Sequence, residues 1–324
     1  MKNIVKIIFI TIVAVVAIIS SGCQYDEYDI QYPHTSVLFV YQDYVSNIVH
    51  GEGLVLNVGI SFAGIAVNDK DRHVEYIIDP ELMNYAPPGM TELPDIYYTR
   101  QHPSQIVIPK GTLRGWLPVT LDSLAFLNDQ RSLTGEFVLP MRLISTADND
   151  SINPEKAFTR ISISYFGKQH GFYRYTGEAE RTFDGVVFDV NNYRNTHVET
   201  NSIRFVQTAG PTKFKITADP LNRNDALRVY AIDGSQSGVV SFFVNIPDVY
   251  GTNVIIEPDL ASPFEVYPTG ENTFDPVTRT FNLSYAFMED ARTERKIVEE
   301  LVFRNRIRDD QGNGIFINEW RFSD

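Results

Sequence analysis

Cys23 is the only thiol in this chain, and six histidines and a large set of aromatic rings complete what it offers for chemistry. With one cysteine there can be no intramolecular disulfide, so every part of the chain must stand on its buried core. His34, His50, His73, His102, His170 and His197 never fall at zinc-ligand spacing, and a single thiol does not complete a site with them. Asp148, Asn149, Asp150 and Asn153 carry oxygens that suit calcium. The glycine and closing glutamate of an EF-hand are missing, however, so a solvated turn is the reading and no metal or cofactor is expected. Glycoside hydrolysis needs two carboxylates at a set separation. Acids occur all along the chain, and no local motif singles out a pair. There is no Gly-x-Ser-x-Gly elbow, phosphate loop or dinucleotide fingerprint, and the chain reads as non-catalytic.

The aromatics carry more weight. Sugar rings stack their C–H faces on exposed Trp or Tyr while nearby polar groups hold the hydroxyls. Trp116 lies opposite the apolar face of its strand and is the first candidate for such a contact, followed by Tyr97, Tyr98, Tyr173 and Tyr175. Each of these rings fits equally well in a core or a domain interface. Trp320, beside Phe322 in the last strand, reads as core. The net charge of −13 becomes −15 once Lys2 and Lys6 leave with the N-terminal segment, which argues against nucleic acid and anionic lipid headgroups as partners.

The elements that must position these rings are strands. Seventeen tyrosines and twenty-one phenylalanines, with seventeen prolines and twenty glycines, favour short strands broken by turns. In the first half, strands are expected over 37–41, 54–60, 73–78, 104–108, 115–121, 137–145 and 160–165. Asp79 reads as the N-cap of a short helix with Pro80 at its first position, stopped by Pro87 and Pro88. Turn-spaced strands with no βα alternation indicate a β-sandwich over 36–166. Two glycines and polar residues at 167–171 mark a linker. Eleven further strand segments over 172–324, joined by short loops, suit an up-and-down meander that closes into a barrel. Residues 289–301 have helical composition. We read them as strand, because Phe281, Leu283, Tyr285 and Phe287 alternate just before and no cap follows. About 300 mature residues in two halves give the expected two-domain, all-β architecture.

At the N-terminus, Lys2 and Lys6 precede thirteen residues, Ile7 to Ile19, whose only polar member is Thr11. As a helix this run would be about 20 Å long against roughly 30 Å of hydrocarbon, too short for a permanent span and suited to a signal peptide over 1–22. Ser20, Ser21 and Gly22 directly before Cys23 resemble the lipobox of bacterial lipoproteins, with Ser20 where leucine is usual. That resemblance implies cleavage and acylation of Cys23, anchoring the protein in outer-membrane lipid through a tether over 23–35. Residues 24–29, acidic and polar, resemble the export signal of surface-exposed Bacteroidetes lipoproteins. The triplets from Asp122 to Leu124 and from Asp150 to Ile152 resemble the acceptor motif of Bacteroidetes O-glycosylation, which implies modification at Ser123 and Ser151.

Over nearly the whole mature chain the order of motifs resembles Sus-like surface lipoproteins of the Bacteroidetes. The runs 78–82, 93–98 and 107–111 are similar to their N-terminal domain of unknown function. The runs 281–285 and 317–321 are similar to the lipocalin-like domain that often follows it. Ala86-Pro87-Pro88-Gly89 replaces the usual asparagine-glycine after the short helix. The resemblance implies an N-terminal Ig-like β-sandwich plus a C-terminal lipocalin-like β-barrel, exposed at the cell surface as an accessory of polysaccharide uptake. It implies glycan and Sus-like transporter components as partners, and no catalytic residues. Two rival readings are a barrel carrying a small apolar ligand and a structural or adhesive surface protein.

Labelled fatty acid supplied to cells should enter the wild-type protein but not Cys23→Ser. Equal labelling of the two ends the lipoprotein reading.

Overall fold

The computed structural model describes residues 35–148, 150–194, 201–219, 222–231, 234–248 and 252–306. The Cys23 motif and the closing segment with Trp320 lie outside the described residues, as do Asn149 and His197.

The described residues up to Gly167 form eleven strands: β1 (Ser36–Phe39), β2 (Asp43–His50), β3 (Val55–Ala63), β4 (Arg72–Ile78), β5 (Thr91–Glu92), β6 (Tyr98–Arg100), β7 (Gln105–Ile108), β8 (Arg114–Leu121), β9 (Phe137–Thr146), β10 (Ser151–Ile152) and β11 (Phe158–Gly167). β3 and β8 bury alternate residues, whereas β9 and β11 are buried on both faces over most of their length. In β8, Leu117, Val119 and Leu121 point inward while Trp116 and Thr120 face solvent. Two sheets result, of order β10-β1-β3-β8-β6 and β2-β11-β9-β4-β7. Their inner faces share one apolar core, which includes Phe39, Ile60, Val74, Leu117, Phe137 and Ile161. Burying each such side chain contributes about 1.5–3 kcal/mol. The chain changes sheets between β1 and β2, and β2 then pairs in parallel with β11 along its whole length. The Asp79 carboxylate accepts from Glu81 N at 3.1 Å and caps a 3₁₀ turn over Pro80–Tyr85, with Pro80 in the first turn.

The second half forms β12 (Gly171–Phe183), β13 (Val186–Asn192), β14 (Ile203–Thr208), β15 (Lys213–Thr217), β16 (Arg228–Tyr230), β17 (Gln236–Val239), β18 (Ser241–Asn245), β19 (Ile255–Pro258), β20 (Val266–Pro268), β21 (Thr273–Asp275), β22 (Thr280–Met288) and β23 (Thr293–Asn305). The main sheet runs β19-β18-β15-β14-β12-β23-β22-β20, with β13 on β12 and β21 on β22. It closes on itself. Val254 N donates to Asn272 O at 3.0 Å, and Phe274 N donates to Thr252 O at 2.8 Å, joining the segment before β19 to β21. The fold is therefore all-β, a sandwich followed by a barrel. Residues 293–301 belong to β23, paired antiparallel with both β12 and β22.

The barrel interior is filled by large side chains, among them Tyr173, Phe214, Phe242, Phe281, Tyr285 and Phe287. At its centre is a charged group. Arg204 of β14, fully buried, donates to Glu299 Oε1 at 2.6 Å and to Asp225 Oδ1 at 2.8 Å. Its guanidinium lies 4.1 Å from the centre of the Tyr175 ring. Tyr285 donates to Glu299 Oε1 at 2.7 Å, and Tyr175 donates to Asp225 Oδ2 at 3.1 Å. Burial alone would discharge Arg204, but Asp225 and Glu299 hold its pKa well above the ordinary value. Burial pushes Glu299 up, with Arg204 and a Tyr285 hydrogen bond opposing and the Asp225 charge adding to it. A proton on Glu299 would leave one cation facing one anion. Gly177, opposite Glu299, admits this close packing: a Cβ there would stand 2.3 Å from Val298 O and 2.8 Å from Glu299 Cα.

Between the two cores the chain turns at 168–170. Gly167 N donates to Thr208 Oγ1 at 2.9 Å, and Thr208 N donates to His170 Nδ1 at 3.1 Å. Arg279 and Arg306 both donate to Lys168 O, and Arg306 pairs with Glu52 at 3.2 Å. Burial first, and then the Arg306 charge, bring the His170 pKa down to about 4. The neutral ring suits an Nδ1 that accepts a hydrogen bond.

Two outcomes are expected. Arg204→Met leaves two buried carboxylates without their cation and should cost about 3–5 kcal/mol in urea unfolding; adding Glu299→Leu should restore part of that. An unaltered midpoint for Arg204→Met would refute the buried-ion account. For His170 the folded pKa lies below the unfolded value of 6.5, so the unfolded chain binds more protons between the two values. Stability should then rise by about 3 kcal/mol from pH 4 to 6.5, and His170→Gln should flatten that part of the profile.

Candidate functional site

Trp116 and Gly59 are cross-strand partners on the outer face of the β3–β8 pair. Because Gly59 has no side chain, the indole lies down on the strand: a Cβ built at Gly59 would stand 2.7 Å from Trp116 Cζ3. The ring is 53% exposed. Beside it, where the chain crosses from β1 to β2, Tyr41 is 64% exposed, with its ring centre 5.7 Å from that of Tyr44. Trp116, Tyr41, Tyr44, Asn57 and Gly59 line a hollow of about 100 Å³. The Asn57 side chain is exposed and has no hydrogen-bond partner among the described residues. Burial pushes the Tyr44 phenol above its ordinary range, so it is a neutral hydroxyl at physiological pH. The arrangement offers an aromatic face with the Asn57 amide at its margin. That is the chemistry that holds a pyranose by stacking and hydrogen bonding.

The other ring positions singled out by sequence are placed differently. Tyr98, Tyr173 and Tyr175 are buried and present no face to solvent. Tyr98 donates to Asp95 at 3.0 Å, and Tyr173 donates to Gln169 O at 2.7 Å. Tyr97 is half-buried, packed edge-on against Phe126 and Phe137 and donating to Asp129 at 3.0 Å. As sugar contacts these four are corrected to core and near-core rings, and none of them joins Trp116. Ser123 and Ser151 are both exposed, Ser123 in a turn and Ser151 at the start of β10. Asp148 pairs with Lys70 at 2.6 Å and Asp150 with Arg72 at 2.6 Å, so both carboxylates already face cations. No group of three His, Cys, Asp or Glu among the described residues could hold a metal.

Sequence reading missed Tyr41, Asn57 and Gly59. The signal for Gly59 was present in a single glycine within the alternating run of β3. Several larger hollows lie elsewhere. One, of about 680 Å³, runs between the sandwich and the barrel and is lined by Arg131, Tyr165, His170, Phe205, Lys215 and Phe243. Another, of about 330 Å³, opens at one end of the barrel among arginines.

No family model matches the chain, and no curated protein matches it in sequence. A Bacteroides ovatus protein of unknown function is similar in structure, with a TM-score of 0.69 at 17% identity, covering 85% of this chain and 96% of its own. Weaker overlaps are found with two other proteins. One is a Bacteroides ovatus multidomain protein including DUF1735 (TM-score 0.43, 12% identity, 83% of this chain and 93% of that one). The second is an auxiliary nutrient binding protein of Bacteroides thetaiotaomicron (0.39, 16%, 79% and 89%). At 17% identity the first likeness establishes a shared fold spanning both halves of the chain.

Proposed function

We propose that the protein is a non-catalytic surface lipoprotein of the outer membrane that binds glycan, as an accessory of a Sus-like polysaccharide-utilisation system. The observation that carries this reading is the exposed indole of Trp116, laid flat over Gly59 with Tyr41 and Asn57 beside it. Trp116 keeps 53% of its surface exposed, whereas Tyr173 and Tyr285 are fully buried. The barrel, lipocalin-like on this reading, supports the same choice over the apolar carrier, because its centre holds Arg204, Asp225 and Glu299. An apolar ligand entering there would have to displace packed rings and strip an ion pair of its partners.

Affinity per site should be modest, since one stacked ring adds about 0.5–1.5 kcal/mol beyond its buried area and sugar hydroxyls exchange water for protein hydrogen bonds. A polymer recruiting many copies on a cell makes up the difference. In a Trp320→Phe background Trp116 is the sole tryptophan, and polysaccharide should shield its fluorescence from an aqueous quencher. Trp116→Ala should weaken binding roughly threefold to tenfold. Gly59→Val, which displaces the ring, should do the same. A quenching curve unmoved by any polysaccharide would overturn the reading, and release of reducing sugar by the purified protein would move it to the enzymes.

A further inference from the structure

The hollow at the barrel end is built from distant segments. Ala179 and Arg181 come from β12, Asp189 and Asn191 from β13, Arg223, Asn224 and Asp225 from the loop before β16, Arg228 and Tyr230 from β16, and Arg295 from β23. Four arginines therefore face two aspartates, on a chain whose net charge is −13. The local acids are already committed. Asp225 accepts from Arg204, Tyr175, Asp219 N and Leu227 N. Glu289, behind the cleft, is shared by Arg181 at 2.7 Å and Arg295 at 2.5 Å. Among the described residues Asp189 forms an ion pair with Arg181 alone, at 3.6 Å.

Two guanidinium groups are left without a carboxylate among the described residues. Arg228 spends its nitrogens on Asn222 O, Asp219 O and Gln236 Oε1, with no carboxylate among them. Arg223 is exposed, and its guanidinium has no partner among the described residues. The same holds for the side-chain amides of Asn191 and Asn224. Tyr230, whose hydroxyl is tied to Arg223 O at 2.8 Å, keeps 37% of its surface exposed. A free guanidinium fork recognises carboxylate or sulfate, the amides suit hydroxyls, and the phenol ring offers a stacking face.

We propose that this cleft binds an anionic sugar residue, carrying a carboxylate or a sulfate ester. The proposal rests on the glycan-binding reading and adds a ligand class and a second site, remote in sequence from Trp116. The cleft is of ordinary small-molecule size. Its positive lining gives an acidic protein a place where a polyanion is attracted instead of repelled.

The test is calorimetric titration of the full chain with oligogalacturonate, its carboxyl-reduced counterpart and a sulfated oligosaccharide. At least one of the two anionic ligands should bind tenfold or more tighter than the neutral one, with a preference that shrinks as salt rises. Arg223→Ala, which removes no side-chain hydrogen bond or ion pair among the described residues, should reduce anionic binding about tenfold, and Arg223→Glu should abolish the preference. Trp116→Ala should leave the Arg223-dependent part of anionic binding in place. Dependence on Arg223 with only one anionic ligand identifies which of the two groups the cleft takes. Neutral glycan captured through Trp116 with no anionic preference overturns this inference and leaves the glycan reading standing. Binding of a monomeric uronate lost in Arg223→Ala, with no polysaccharide captured, upholds the cleft and ends the glycan-capture reading.

Discussion

A guanidinium with no access to water is the constraint around which the barrel is arranged. Arg204 cannot be stripped of solvent without charged acceptors, and it finds them in Glu299 of β23 and Asp225 of the loop before β16. Those partners tie β14 to two segments far away in sequence, and Tyr285 and Tyr175 add β22 and β12 to the same cluster. A slip of β23 by one residue would carry Glu299 to the outside and leave Arg204 with half its compensation. The apolar residues around the cluster supply most of the burial energy, while the ion pair penalises the wrong register. The same cluster removes the barrel centre as a binding space, so whatever this half of the molecule binds must be met at its ends or on its outer faces.

Two glycines do comparable work at shorter range. Gly177 leaves room for Glu299 and its strand to approach β12, and Gly59 leaves room for the Trp116 ring on β3. In both places a missing Cβ fixes the position of a neighbour: an acid in the interior in one case, an aromatic face toward solvent in the other. The second effect makes Trp116 a preformed surface, because the indole rests on backbone and loses little freedom when a ligand covers it.

Most of the strands were legible because alternation survives wherever one face is apolar. β8 and β22 are clear cases, with Leu117, Val119 and Leu121 inward in one and Phe281, Leu283, Tyr285 and Phe287 inward in the other. β23 was ambiguous for a physical reason: Arg295 and Glu299 occupy inward positions and pair there, so the charges that serve the interior break the alternation and imitate a helix. β2 went unread because it buries only Ile48 fully and so shows no apolar face, being held by its parallel ladder to β11. The aromatic candidates divide on the same ground. Tyr173 and Tyr175 alternate as a strand's inward face does, and nothing in their spacing distinguishes a packed interior from an open one. The arginine cleft was invisible because its charges come from positions between 181 and 295, and an excess of positive charge appears only once the fold shows which acids are taken.

On the proposed reading, the aromatic platform and the arginine cleft divide the recognition of a sugar polymer by chemistry. Stacking on Trp116 reads a ring face and is nearly blind to charge, whereas the cleft reads charge and fades in salt. Neither contact need be strong, since engagement at one raises the effective concentration of the same chain at the other wherever the polymer can span both. Where it cannot, the two sites would act on separate chains and only crowding of anchored copies would add to affinity. The junction at Gly167, His170 and Thr208 bears on this choice, because it sets how the sandwich and barrel are presented. Its hydrogen bond into His170 Nδ1 requires a neutral ring, and burial with the nearby Arg306 charge keeps it neutral through the mildly acidic range. The presentation of the two sites is thereby held constant through the mildly acidic range, and the charge-dependent half of recognition is left to the ligand's own ionisation.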